Sequence, residues 1–482
     1  MPERSRDATS PPGLSTGSVA RLVETATIVL LTASSLQCRS PPPDRPAPTS
    51  ATGGRTDVLA IVGASVLQDP MLDPMEDGTV VVRGGRISAL GPRRSIQVPE
   101  DARVVSGEGK WLIPGLWDMH VHLTDATELA MPVLLSNGVT GVRDMGGDFE
   151  VVVDMERRRI RGDLDGPRIF TAGPYVDGPK GGLPHRITVE TADDGRGAVD
   201  SVRSLGADFL KVHNGVPPDA YFPLVERAHR IGLPVVGHVP VEVSPVSAAR
   251  AGQASLEHFV TLFEGTLRER ASGLDQLRGY VADGLDTLAR DIAATDAYLT
   301  PTAYTYHLRA DRGELARDPD PRRRYVARSL REQWDAWYPL TDRDGDSTIA
   351  DLREQFYQIG LEVIARFHEA GVPLLAGTDL AARDVLPGFH LHDELEALVS
   401  AGLTPREALT TATTLPARFL EADSLGAIAV GHRADVVLLS DDPRADISNT
   451  REIEAVVADG RYYGRQELDE LLERAAATAG EH

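Results

Sequence analysis

The feature of this chain that most constrains its fold is a set of metal-ligand residue types placed in or just after short apolar runs. These residues are His120, His122, Lys211, His238, His258 and Asp379. In a (β/α)8 barrel the carboxyl ends of all strands meet at one mouth, so side chains in these places would converge on one site. The placement therefore predicts an α/β fold with a metal site at the strand ends.

Composition limits the classes of partner. The 482 residues can bury a large core and predict more than one domain. The formal net charge of −22 argues against a nucleic-acid partner, because phosphate binding needs a basic surface. The chain has one cysteine, Cys38, so it has no internal disulfide framework.

The first 55 residues have the pattern of an export signal. Arg21 precedes an apolar run at 25–36 that is too short to span a bilayer, and Cys38 follows it. Residues 1–38 resemble a bacterial lipoprotein signal with lipid attached at Cys38, and 39–55 form a Pro-rich tether. This pattern predicts an exported, periplasmic or cell-envelope protein. The alternative is a cytoplasmic chain with a disordered leader.

The rest of the chain divides into β-rich flanks and an α/β centre. The flanks, residues 56–113 and 425–482, predict one small β-sandwich built from both termini, with a helix at the end of the chain. Within 114–424, strand-like runs alternate with helical patterns, as in a parallel βα array, and the charged segment at about 307–372 predicts a helical insertion. The eight expected strands lie near 115–122, 138–145, 167–173, 207–213, 234–240, 255–260, 298–305 and 373–379.

Two segments carry a family resemblance. Because residues two apart on a strand point to the same side, His120 and His122 can bind one ion. Residues 113–122 (IPGLWDMHVH) resemble the opening motif of the amidohydrolase superfamily, and residues 377–379 (GTD) resemble its closing motif. Within the superfamily, the nearest likeness is to the imidazolonepropionase-like and Xaa-Pro-dipeptidase-like branch. The resemblance implies a distorted TIM (β/α)8 barrel beside the composite β-sandwich.

The resemblance also implies a role for each ligand residue. His120 and His122 would bind the more buried of two divalent ions, and His238 and His258 the second. Lys211 would be carboxylated by carbon dioxide and bridge both ions. A bare ammonium has no acceptor atom, and carboxylation supplies two oxygens. Asp379 would bind the first ion and act as general acid and base. Zinc is the default metal for these ligands, and manganese, cobalt and iron stay open.

The expected reaction is cleavage of a C–N (amide) bond of a small substrate, such as a dipeptide or an N-acyl amino acid, by a metal-bridging hydroxide. Alternatives are a lactone, cyclic imide or ester hydrolase with the same centre, or a non-catalytic metal-binding envelope lipoprotein. A homo-oligomer is left open.

Loops after the strands set specificity in barrels, so residues in these loops are the candidates for substrate binding. They are His185, Tyr221, Tyr304, Arg383 and His392, with His213, Tyr306 and His390 beside them.

Overall fold

The computed structural model describes residues 58–263, 273–337 and 346–481. The predicted leader, the whole tether and the lipid site at Cys38 lie outside the described residues. In the described part of the chain, no helix combines the length and the apolar character that crossing a membrane requires.

Strands dominate the two ends of the described chain and alternate with helices between them. The strands are β1 Val58–Val66, β2 Met75–Arg83, β3 Arg86–Pro92, β4 Ala102–Ser106, β5 Trp111–Pro114, β6 Leu116–Val121, β7 Val139–Asp144, β8 Arg168–Thr171, β9 Tyr175–Asp177, β10 Arg186–Thr188, β11 Leu210–Val212, β12 Val235–Gly237, β13 Gln253–Glu257, β14 Tyr298–Thr300, β15 Val436–Leu439, β16 Ile453–Ala458 and β17 Arg461–Gly464.

The helices occupy the connections between the central strands and the end of the chain. They are α1 Leu123–Ala126, α2 Ala130–Ser136, α3 Phe149–Arg161, α4 Ala192–Leu205, α5 Pro218–Arg230, α6 Pro245–Ala251, α7 Gly273–Ala293, α8 Ala303–Ala310, α9 Arg312–Arg317, α10 Arg328–Trp337, α11 Ser347–Glu369, α12 Phe389–Ser400, α13 Pro405–Thr411, α14 Thr414–Phe419 and α15 Arg465–Glu481.

Local sequence explains where several helices begin and end. The Asp148 side chain accepts a hydrogen bond from the backbone N–H of Glu150 (3.1 Å) at the start of α3, which satisfies a free donor of the first turn. The same helix ends at Gly162, whose φ of 80° lies in the left-handed region that a side chain would disfavour. Thr191 and Asp194 form a reciprocal capping box at the start of α4.

Both ends of the chain contribute to one sheet. Its order is β17-β16-β15-β5-β1-β2-β3, with β4 paired to β1, and the two halves meet where β15 runs antiparallel to β5. Strands from both β-rich flanks therefore lie in one sheet, as a composite β-domain requires. The hydrogen bonds join all eight strands into a single sheet, where the sequence predicted a small β-sandwich. The two faces of β1 bury different residues, with Leu59 in one apolar cluster and Ala60 in another.

The central strands pair in parallel, as the alternating pattern predicted. One sheet has the order β6-β7-β8, and the other has the order β10-β9-β11-β12-β13-β14. Every residue of β6 and β7 is buried, which is typical of parallel strands covered on both faces. The centre of the chain is therefore an α/β architecture.

Backbone hydrogen bonds connect the two parallel sheets at both of their edges. Asp208 donates to the carbonyl of Thr171 (3.0 Å), between β8 and β11. On the other side, Leu375 donates to the carbonyl of Leu299 (2.9 Å), and Met119 donates to the carbonyl of Ala376 (2.9 Å). The segment predicted as the last strand thus contacts both β14 and β6, although its ladder consists of isolated bridges only.

The seventh predicted strand, 298–305, is shorter than expected. β14 ends at Thr300, and α8 begins at Ala303, where the carboxylate of Glu394 accepts the N–H groups of Ala303 (3.0 Å) and Tyr304 (2.8 Å). The helical insertion therefore begins a few residues before position 307. The helices α8 and α11 of this insertion pack on each other beside the strand ends.

Candidate metal centre

The six predicted ligand residues meet at the carboxyl ends of the parallel strands. His120 lies in β6, Lys211 in β11 and Asp379 within the bridged segment at 373–380, and the other three directly follow a strand. Five of the six line one cavity of about 320 Å³, namely His122, Lys211, His238, His258 and Asp379. His120 is fully buried beneath them, and its ring centroid lies 4.6 Å from that of His258.

Three of these side chains form a group that fits one metal ion. The Nε2 atoms of His120 and His122 lie 3.6 Å and 3.5 Å from Oδ1 of Asp379. These separations are long for hydrogen bonds. They match neighbouring donors around a tetrahedral ion, which lie about 3.3–3.6 Å apart when each metal bond is about 2.0–2.2 Å. Nε2 of His120 is also buried without a hydrogen-bond partner, an arrangement that a bound cation would satisfy.

The other three predicted ligands adjoin this group. The ring centroids of His238 and His258 are 4.7 Å apart with their planes nearly perpendicular. Lys211 lies in the middle of β11, and 1% of its surface is exposed. Burial lowers the pKa of Lys211 to about 8, and the negative charges of Glu257 and Asp379 oppose this effect. A second ion could therefore be held between the two imidazoles and a modified lysine.

The outer nitrogens of the His120 and His122 rings are each held by a neighbouring residue. Nδ1 of His120 hydrogen-bonds to Oε2 of Glu257 (2.9 Å). Nδ1 of His122 lies 3.2 Å from the carbonyl oxygen of Gly146 and 2.9 Å from the hydroxyl of Tyr175. With Nδ1 as the hydrogen-bonded atom, Nε2 of each ring faces Asp379 with its lone pair free for a metal.

The remaining two imidazoles are oriented in the same way. Nδ1 of His258 pairs with the hydroxyl of Thr302 (2.7 Å), and Nδ1 of His238 pairs with the amide oxygen of Asn214. Burial lowers the pKa of His258 to about 4, and it lowers the pKa of His238 well below its usual value. Both rings are therefore neutral at pH 7, which is the protonation state that binds metals.

A buried ion pair supports the centre from below. The Arg143 guanidinium contacts both oxygens of Glu257 at 2.8 Å, and neither side chain is exposed. Arg143 also donates to the carbonyl of Met119 (2.6 Å), the hydroxyl of Ser255 (2.9 Å) and the hydroxyl of Thr300 (3.1 Å). Burial alone would raise the pKa of Glu257. The charge of Arg143 and the hydrogen bond from His120 lower this pKa by more than burial raises it, so the net shift is downward.

Asp379 is held by the backbone and by its neighbours. Thr378 donates to Asp118 from its N–H (3.0 Å) and from its hydroxyl (2.6 Å), which ties the segment to β6. The φ of Asp379 is 58°, an unfavourable value for a residue with a side chain and one often found at functional sites. Burial alone would raise the pKa of Asp379, but electrostatic interactions with the neighbouring imidazoles of His258, His122 and His120 lower it below its ordinary range.

Several functional residues were missed in the sequence. Tyr175 and Arg309 line the cavity, and Asp177 pairs with the cavity residue His213 (Nδ1 to Oδ2, 3.3 Å). Glu257 carried a signal, since it directly precedes His258 at the end of β13. The signal for Tyr175 was weak, because β9 is a short strand outside the expected eight.

Tyr221 and Tyr304 were predicted to contact substrate, and the structure places both elsewhere. Tyr221 lies on the inner face of α5, is fully buried, and donates its hydroxyl to Oε1 of Gln253 (2.6 Å). Tyr304 lies in α8 and lines a different cavity, together with His390. Helix geometry turned both side chains away from the metal cavity, which sequence spacing alone did not show. Tyr306, two residues after Tyr304, does line the metal cavity.

The other three predicted substrate contacts also lie outside the cavity. His185 is exposed, and its Nδ1 lies 3.6 Å from a carboxylate oxygen of Asp148. Arg383 donates to the carbonyl of Trp334 (2.8 Å), although the adjacent Ala382 does line the cavity. His392 lies in α12 and is not among the residues that line the cavity. These corrections share a cause: the side chains find partners in neighbouring loops and helices.

His392 has a structural role. It is buried, its Nδ1 pairs with the hydroxyl of Thr450 (2.9 Å), and its Nε2 lies 3.2 Å from the carbonyl oxygen of Asn137. We expect His392→Ala to lower the free energy of unfolding by about 2–4 kcal/mol, because it leaves a cavity and unpaired polar groups. Urea unfolding measures this loss, and kcat/KM of the folded variant should stay within about twofold of the wild type. A large fall in kcat/KM with unchanged stability would restore the substrate-contact interpretation.

Solved structures of related proteins share this architecture. A putative prolidase from Bifidobacterium longum is 24% identical, with a TM-score of 0.65, and the match covers 87% of this chain and 99% of that one. Bottromycin amidohydrolase is 25% identical, with a TM-score of 0.73, and the match covers 88% of this chain and 91% of that one.

Two curated proteins have sequences similar to that of this chain. An imidazolonepropionase from Anaeromyxobacter dehalogenans is 25% identical over 398 residues, 74% of this chain and 83% of that enzyme. A dihydroorotase from Anaeromyxobacter sp. is 39% identical over 70 residues, only 14% of this chain and 16% of that enzyme.

The amidohydrolase family as a whole matches residues 111–462 and generally uses divalent metal ions. The resemblance in the opening and closing motifs is thereby confirmed. The chain belongs to the amidohydrolase family.

Proposed function

We propose that this chain hydrolyses the amide bond of a small substrate at a centre of two divalent ions, with Asp379 as the proton-transfer group. The observation that carries the proposal is the arrangement of the six candidate ligand residues: five line one cavity at the strand ends, and His120 is buried beneath them. A dipeptide or N-acyl amino acid is the favoured substrate, since a prolidase and an amidohydrolase are among the similar structures. Lactones, cyclic imides and esters are the alternative, because the same centre could attack their carbonyl groups.

The residues of the cavity fit divalent ions such as zinc. His120, His122 and Asp379 would hold the first ion, and the unpartnered Nε2 of His120 supports this assignment. His238 and His258 would hold the second. When bound, such ions lower the pKa of water and polarise a carbonyl group. The retained ligand set argues against a non-catalytic binding protein.

The proton transfers fall to Asp379. Its pKa is held low, so it is ionised and can accept a proton at Oδ1 or Oδ2 as water attacks the substrate carbonyl. The protonated carboxyl can then donate to the leaving nitrogen, which departs as a neutral amine. The tie between Thr378 and Asp118 keeps the carboxylate in one position during both transfers.

We also infer that the central strands close into a distorted (β/α)8 barrel. The support is the continuous set of links between the two parallel sheets, through Asp208 on one side and the segment 373–380 on the other. Closure brings the ends of β6 and β14 within reach of Asp379, so that ligands distant in the chain can share an ion.

Lys211 is proposed to carry a carboxyl group. The free-amine form, which its lowered pKa makes more abundant near neutral pH, attacks carbon dioxide through the Nζ lone pair and releases one proton. The resulting carbamate has two oxygens that could bridge two cations, whereas the ammonium form has only donors.

We expect Lys211→Met to lose at least about 100-fold in kcat and one of two bound metal equivalents, because the bridging anion is gone. Elemental analysis and turnover measure both effects. Wild-type protein supplied with 13C-bicarbonate should give a carbamate carbon resonance by NMR. Lys180→Met is the matched control, since Lys180 is exposed and its loss should leave the resonance unchanged. A wild-type protein with two metals and no such resonance would contradict the carboxylation.

The function itself is tested with the purified full chain, supplied with zinc and bicarbonate. Turnover is measured on dipeptides, N-acyl amino acids, lactones and cyclic imides, before and after removal of metal by a chelator. Cleavage of amides alone, lost with the chelator and restored by zinc, is the expected result. Cleavage of lactones or imides alone would overturn the amide assignment while keeping the centre.

A further inference from the structure

A second cavity adjoins the metal-site cavity. This neighbour has a volume of about 410 Å³ and lies between the end of β13 and the helices α8 and α11. Val260, Tyr306 and Arg309 line both cavities. The two cavities therefore adjoin along these three residues, and a molecule bound at the metal ligands would lie next to Tyr306 and Arg309 at the border of the second cavity.

The second cavity is mainly apolar on the side of the insertion. Ile349, Leu352 and Phe356 of α11 line it together with Arg353, and Leu352 is 40% exposed although it is a large aliphatic residue. The ring of Phe356 lies 5.8 Å from that of Tyr306, which gives the wall a fixed aromatic surface. We call the cavity formed by these residues and Val260 the apolar groove. Its size suits an aliphatic or aromatic side chain.

Arg309 stands at the junction of the two cavities. Its guanidinium carbon lies 4.6 Å from the centroid of the Tyr306 ring, which holds the cation against an aromatic face. Among the residues that the structure describes, no carboxylate forms an ion pair with it. A guanidinium in this setting can bind a carboxylate through two parallel hydrogen bonds.

We propose that the apolar groove and Arg309 form the subsite for the leaving half of the substrate, an amino acid with a free carboxylate and an apolar side chain. The carboxylate binds to Arg309, and the side chain packs against Ile349, Leu352 and Phe356. The inference rests on the proposed amide hydrolysis, and it names the substrate class that the hydrolysis would act on. Tyr306 separates this subsite from the metal ligands.

The first test compares matched substrates. We expect kcat/KM for N-acetyl-L-phenylalanine to exceed that for its C-terminal primary amide, and for N-acetylglycine, by about tenfold or more. Arg309→Gln should lower kcat/KM for N-acetyl-L-phenylalanine by about tenfold and abolish the preference for the carboxylate. Leu352→Asn should reduce the preference for phenylalanine over glycine. Arg203→Gln, an exposed arginine of α4, is the matched control.

The second test is independent of turnover. Calorimetry of the full chain with 3-phenylpropionate and with 3-phenylpropanamide should show about tenfold tighter binding of the acid. Arg309→Gln should remove that difference, and Arg309→Lys should keep part of it. Selective binding without hydrolysis of any amide would sink the proposed function and leave the subsite standing. Amide hydrolysis with equal binding of acid and amide in all variants would overturn the subsite alone.

Discussion

Asp379→Asn is expected to lower kcat by about 10³-fold, because the amide can neither accept a proton from water nor deliver one to the leaving nitrogen. The amide oxygen can still face His120 and His122, so the first metal position should remain occupied. Turnover on the best substrate, with metal content measured by elemental analysis, separates loss of proton transfer from loss of metal.

The matched control is Asp125→Asn. Asp125 lines the same cavity, and its carboxylate accepts a hydrogen bond from Gln333 (3.2 Å) without contacting the ligand group. Its replacement should change kcat by no more than a few-fold. If Asp379→Asn kept both metals and most of its turnover, another group would have to transfer the protons and the proposed role of Asp379 would be wrong.

The second large effect concerns stability. Glu257→Gln is expected to lower the free energy of unfolding by about 3–5 kcal/mol, because it leaves the Arg143 guanidinium buried without its counter-charge. Arg143→Met should cost a similar amount by leaving Glu257 unpaired. The double variant should lose at least about 2 kcal/mol less than the two single losses added together, since neither charge is then left alone.

Urea unfolding of the metal-free chain measures all three variants, because bound metal would add its own contribution to stability. The matched control is Glu226→Gln, which breaks an exposed pair with Arg230 (2.7 Å) and should cost no more than about 1 kcal/mol. A cost for Glu257→Gln as small as that of the control would show that water reaches the pair or that Arg143 finds another partner.

The positions of the candidate ligands could be predicted from residue type and from the place of each residue in or after an apolar run. Each of His120, Lys211 and His238 lies in or directly after a run of apolar residues that forms a buried parallel strand. Strand ends of a parallel α/β fold meet at one edge, so residue type and position in the run were sufficient. The strand-like runs in the two β-rich flanks predicted the β-domain that these flanks share.

The contacts around the ligands could not be predicted in this way. Arg143 and Glu257 are 114 residues apart, and their pairing follows from the neighbourhood of β7 and β13 around the centre. Tyr221 failed for a related reason: it follows a strand, but helix α5 turns it into the core, where it contacts Gln253. Sequence position after a strand does not state which way a loop or helix directs a side chain.

The sequence by itself determined the α/β class, the family and the six candidate ligands, because periodicity and residue type are local properties of the chain. The tertiary structure decided the hydrogen-bond partner of each ligand, the separations around Asp379, and the junction at Arg309 between the cavity and the apolar groove. These depend on distances between segments far apart in sequence, which only the packing of strands and helices sets.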